Sequence, residues 1–79
     1  MKYEYIIRDS RILAICDSIA TAPFIGLDIE TTCLQPFEGK IRLVQLKVGE
    51  DIFILDFFKL SASSCVTIAR AIADSRAIK

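Results

Sequence analysis

The sequence predicts an α/β domain with its elements in the order β-α-β-β-β-α. Three observations carry this reading. A nearly unbroken apolar run, Pro23-Phe24-Ile25-Gly26-Leu27, closes on Asp28-Ile29-Glu30-Thr31 and has the length and composition of a buried strand. Two more apolar segments, residues 41–48 and 52–56, flank the turn Gly49-Glu50-Asp51 and read as a hairpin. Two other stretches repeat their apolar residues at helical spacing, one before the apolar run and one after the hairpin.

In chain order, Tyr3-Glu4-Tyr5-Ile6-Ile7 alternates as a short edge strand does. Asp9 or Ser10 is placed to cap the helix that follows, whose apolar face is Ile12, Ile15, Cys16, Ile19 and Ala20. Thr21-Ala22-Pro23 ends that helix, and the next strand covers about residues 24–30. Residues 31–40 form a loop with Pro36 and Gly39, and the hairpin follows. A short loop then leads to Ser61 or Ser63, either of which can cap a second helix. Its inward residues are expected to be Cys65, Ile68, Ala69, Ile72 and Ala73, and Asp74-Ser75-Arg76 closes it.

A chain of 79 residues holds one small domain at most and buries roughly 60–65% of its unfolded surface. Ten basic residues balance ten acidic ones without a basic run, so charge alone argues for no nucleic-acid-binding face. The chain has no His, and its three cysteines, Cys16, Cys33 and Cys65, form no C-x-x-C pair, which argues against zinc. They read as free thiols in a reducing, cytoplasmic compartment. No apolar run approaches the roughly 18 residues of a membrane span, and Met1-Lys2-Tyr3-Glu4 leads straight into strand alternation rather than a signal peptide.

Asp28 and Glu30 are the candidate chemical residues. Side chains at i and i+2 share one face of a strand, about 6.6 Å apart along it. Two hard oxygen ligands on one face suit Mg²⁺ or Mn²⁺. The spacing alone favours a solvated pair of carboxylates at a strand end, because D-x-E is short and common.

The longer string narrows the choice. Phe24-Ile25-Gly26-Leu27-Asp28-Ile29-Glu30-Thr31-Thr32-Cys33-Leu34 resembles the first motif of the DEDD-type 3′–5′ exonucleases. The continuation Gly39-Lys40-Ile41-Arg42-Leu43-Val44-Gln45-Leu46, then Ile52-Phe53-Ile54-Leu55-Asp56, is similar to theirs as well. The nearest relatives by this pattern are ribonuclease D and the proofreading domains of bacterial family-A DNA polymerases. Cys33 stands where that family has Gly or another small residue.

The resemblance implies the N-terminal part of a ribonuclease H-like exonuclease fold, with the whole of residues 1–79 a partial domain. It implies two divalent metal ions, Mg²⁺ or Mn²⁺, in the complete domain, with Asp28 and Glu30 as catalytic metal ligands. It also implies contact between Thr31 and the terminal 3′ hydroxyl, and a wedge of Leu34 against the terminal base. The family uses four carboxylates from three motifs, and the second and third motifs are not in this sequence. The expectation is therefore an inactive fragment that does not bind metal tightly. Its partner in the complete domain is a nucleic-acid 3′ end, RNA or DNA. A rival expectation is a truncated or decayed non-catalytic module that self-associates or pairs with a complementing downstream segment or another chain. Gln45 reads as satisfying polar groups in an apolar setting, Asp56 as a turn residue, and Arg42 and Lys40 as a solvated strand end. Phe57-Phe58 reads as core or as a patch that other residues cover.

Overall fold

The computed structural model describes residues 2–31 and 40–76. Its elements follow the expected order: β1 (Lys2–Ile6), α1 (Ile12–Thr21), β2 (Ile25–Thr31), β3 (Ile41–Val48), β4 (Asp51–Asp56) and α2 (Ala62–Asp74). A 3-10 turn, Asp9–Arg11, precedes α1. The strands form one four-stranded sheet in the order β1-β4-β3-β2. β3 runs antiparallel to both β2 and β4, while β1 lies parallel to β4 at the far edge. The two edge strands are thus the first two in sequence, and α1 carries the chain between them.

The alternation of side chains across the sheet decides the layering. Val44, Leu46 and Val48 of β3 are buried, as are Phe53 and Leu55 of β4 and Ile6 of β1. They form one core with Ile12, Ile15 and Ile19 of α1 and Ile68 of α2. Both helices therefore pack on the same face. Among the described residues no helix or strand covers the other face, which carries Tyr3, Tyr5, Gln45, Asp28 and Glu30 as exposed residues.

The β3–β4 turn has only two residues outside the strands, Gly49 and Glu50. Gly49 takes φ 61°, the left-handed region at the first turn position, where a side chain is disfavoured.

Several expectations need correction. Neither Asp9 nor Ser10 caps α1, whose N-cap position is Arg11 without a side-chain hydrogen bond. Asp9 instead binds the start of α2: its Oδ1 accepts from Ser61 N at 3.0 Å and from the Ser64 hydroxyl at 2.6 Å. This carboxylate thus joins segments more than fifty positions apart. Ser61 is the N-cap of α2 and accepts from Ser64 N at 3.1 Å, as one of the two expected serines does. Within α2, Ile68 is fully buried and Cys65 and Ile72 pack against the core, but Ala69 and Ala73 are exposed. The apolar run before Asp28 is buried only at Ile25, because β2 is an edge strand and cover thins along it. Leu27 and Ile29 are 43% and 46% exposed.

Cys16 and Cys65 are free, half-buried thiols. Burial pushes both above the ordinary thiol pKa and so disfavours the reactive thiolate. Cys33, Pro36 and Gly39 lie outside the described residues.

Candidate active site

β2 presents its two faces in strict alternation. Leu27 and Ile29 stand opposite Leu46 and Val44, on the side of the helices. Asp28 and Glu30 stand opposite Gln45 and Leu43, on the open side. The expected arrangement is therefore present: both carboxylates project from one strand onto a shared, solvated face, about two residue rises apart.

The pairing of β2 with β3 is interrupted beside Glu30. Glu30 lies opposite Leu43, and Thr31 lies opposite Ile41, so Arg42 is an extra residue on β3. Such a bulge breaks the alternation locally and re-aims a side chain. Ile41 thereby joins Leu27 and Ile29 on the apolar side, and Arg42 reaches Glu30. The Arg42 Nη1 donates to Glu30 Oε1 at 2.7 Å, with both side chains at least half exposed. Arg42 is thus not merely a solvated strand end. The bulge that aims it has no signature in the sequence.

Thr31 ends β2 and is exposed. Leu34, expected at the terminal base, lies outside the described residues. Gln45 is exposed on the open face rather than set in apolar surroundings, since nothing described covers it.

Asp56 shares the open face, but β3 separates it from β2, about 10 Å away at the ordinary strand spacing. Its oxygens are occupied. Oδ1 accepts from Phe58 N at 3.0 Å and Lys59 N at 3.3 Å, and Oδ2 accepts from the Tyr5 hydroxyl at 2.5 Å. The Tyr5 hydrogen bond, aided by the two backbone amides, holds the Asp56 carboxyl below its usual pKa. Asp56 is a turn residue, as its sequence position indicates, and does not join Asp28 and Glu30. Among the described residues no group of three or more His, Cys, Asp or Glu converges as a metal cage.

Between α2 and the helix-side face of β2 and β3 lies an apolar groove of about 190 Å³, lined by Leu27, Ile29, Ile41, Phe57, Ile68 and Ile72 among others. Phe24, Leu27 and Phe58 are exposed, whereas Ile25 and Phe57 are packed in or against the core. The Phe57-Phe58 pair thus splits between its two expected roles.

No protein-family model matches the chain. No curated protein matches it either. Solved structures do. Escherichia coli RNase D, described as an exoribonuclease involved in structured RNA processing, aligns with a TM-score of 0.68 and 26% identity, covering 86% of this chain and 18% of that one. Trypanosoma brucei RNase D, solved in complex with RNA U12, aligns with a TM-score of 0.77 and 24% identity, covering 98% of this chain and 28% of that one. The EXO domain of Aedes aegypti Nibbler aligns with a TM-score of 0.71 and 14% identity, covering 89% of this chain and 33% of that one. The chain thus spans between about a fifth and a third of the length of these proteins. Its fold is that of the N-terminal part of a ribonuclease H-like 3′–5′ exonuclease, and the resemblance seen in the sequence holds in three dimensions.

Proposed function

We propose that residues 1–79 are the N-terminal part of a divalent-cation-dependent 3′–5′ exonuclease domain, which hydrolyses phosphodiesters at nucleic-acid 3′ ends. By itself the chain is inactive. The observation that carries this reading is the D-I-E-T strand, whose two carboxylates share an open sheet face within a fold that aligns with E. coli RNase D.

The donor chemistry suits the cation. Asp28 and Glu30 offer hard oxygens to solvent on one face, and Mg²⁺ is commonly held by one or two carboxylates, several waters and substrate phosphates. Held there, such ions would supply activation of a water nucleophile and stabilisation of the charge on the leaving 3′ oxygen. In this reading Asp28 and Glu30 orient the cations. The Thr31 backbone positions the terminal 3′ hydroxyl, and Leu34 wedges the terminal base. Two carboxylates are half of the number the resemblance implies, so affinity in the isolated chain is weak and turnover is absent. The remaining ligands belong to segments that this sequence does not include.

Manganese titration followed by electron paramagnetic resonance tests the site. Weak Mn²⁺ binding is expected, reduced in Asp28→Asn and in Glu30→Gln. Binding unchanged in both variants removes the cation role.

A second reading is a non-catalytic module that pairs with another chain, and one observation favours it. Among the described residues β2 is a seven-residue edge strand with exposed Leu27 and Ile29 beside an apolar groove. Edge strands of this kind template strand addition. Under that reading the carboxylate variants leave the chain's partner binding and metal response unaltered.

A further inference from the structure

We propose that Arg42 is a displaceable counter-charge on Glu30, which a divalent cation must dislodge, so that the guanidinium sets the cation affinity of this face. The inference rests on the cation-site reading above. It starts from the bulge in β3, which places one extra residue beside Glu30 and turns its side chain onto that carboxylate.

Three features fit a displaceable contact. The pair is made through one guanidinium nitrogen and one carboxylate oxygen rather than a two-pronged fork. Both side chains are at least half exposed, so water competes for the contact and it is weak. The backbone at Arg42 is meanwhile pinned, because its carbonyl accepts from Phe57 N at 2.9 Å. The side chain can therefore leave Glu30 without moving the strand. A cation on Glu30 would face the positive guanidinium across a shared oxygen, and like charges at that range repel. Arg42 thus neutralises Glu30 while no cation is present and opposes its arrival.

The test uses the ¹⁵N-labelled chain and the broadening of its amide signals by Mn²⁺, which reports weak and local binding. Broadening centred on residues 28–30 is expected in the wild type. Arg42→Gln should reach half-broadening at about two- to fivefold lower Mn²⁺, the range that an exposed ion pair allows. Arg42→Lys keeps the charge and should retain the wild-type midpoint. In the Glu30→Gln background, Arg42→Gln should have no further effect, which a merely structural role for Arg42 would not produce. The same spectra report whether each variant folds. Local broadening with an unchanged or raised midpoint in Arg42→Gln overturns the role of Arg42 and leaves the cation reading standing. Absence of local broadening in both wild type and Arg42→Gln overturns the cation reading and this inference together.

Discussion

Replacing Asp56 by Ala should destabilise the chain more than any other single change on the open face. Asp56 is only 7% exposed. Its side chain accepts three hydrogen bonds: two from the amides of the turn that leads to α2, and one from Tyr5 of β1. The substitution removes all three at once. Hydrogen bonds to charged groups contribute about 1.5–3 kcal/mol each when well buried, and ordinary ones about 0.5–1.5. Here Tyr5, Phe58 and Lys59 border solvent and can return to water. The lower figures apply, and the total loss is about 2–3 kcal/mol. For a domain of this size each kcal/mol moves the melting temperature by about 4–8 °C, so a fall of roughly 10–20 °C is expected.

Asp56→Asn keeps an oxygen for the turn amides and should fall about half as far. Acid should narrow the difference between wild type and Asp56→Ala. The folded carboxyl titrates below its unfolded value, first through the Tyr5 hydrogen bond. Its stabilisation is therefore complete above the unfolded pKa of about 3.9 and disappears as pH falls through the folded pKa. Circular dichroism melts at pH 7 and pH 3 provide the assay. A melting temperature for Asp56→Ala within about 3 °C of wild type at pH 7 would refute the reasoning.

Two further expectations concern the ties between elements and the edge strand β2. Asp9 is held below its usual pKa, first by the Ser64 hydroxyl and then by the Ser61 amide. Asp9→Asn should thus lower stability at neutral pH, with the deficit starting to shrink below the unfolded pKa of about 3.9 and disappearing as pH falls through the folded pKa; a deficit that does not shrink with acid contradicts the assignment. β2 ends the sheet with exposed Leu27 and Ile29, so the isolated chain should self-associate at rising concentration in size-exclusion chromatography. Ile29→Lys should shift it towards monomer, since charge on an edge strand discourages pairing. A sharp monomer peak for wild type at all concentrations, with cooperative unfolding at high temperature, would show that the edge needs no partner.

Much of the fold is legible in the sequence because its signals are local. Alternation in residues 41–48, the Gly49 turn and the helical spacing of Ile12, Ile15 and Ile19 each depend on near neighbours. The motif string placed Asp28 and Glu30 on one face for the same reason, since period two is a property of the strand itself. Non-local features are less accessible. The parallel pairing of β1 with β4 joins residues about fifty positions apart, and no short-range pattern encodes it. Asp9 has the composition and position of a cap for α1, yet its partners are Ser61 and Ser64, brought close only by tertiary packing.

The exposure of Leu27, Ile29 and Gln45 has a similar origin. A run of apolar residues indicates what a strand requires from its surroundings but not whether the described residues supply it. The sequence reads Arg42 as a solvated strand end because the register shift that turns it towards Glu30 leaves no mark in composition or spacing.

The central claim, that these 79 residues carry the first part of an exonuclease site, is tested most directly by complementation. The chain is mixed with a separately produced segment of a ribonuclease D exonuclease domain bearing the second and third motifs. Both are then incubated with Mn²⁺ and oligonucleotides labelled at the 3′ or the 5′ end. The account predicts no release by either part alone. With both present, mononucleotides should be released from the 3′ end, and Asp28→Ala should abolish that release. Activity by the 79-residue chain alone, or complemented activity that survives Asp28→Ala, would contradict it.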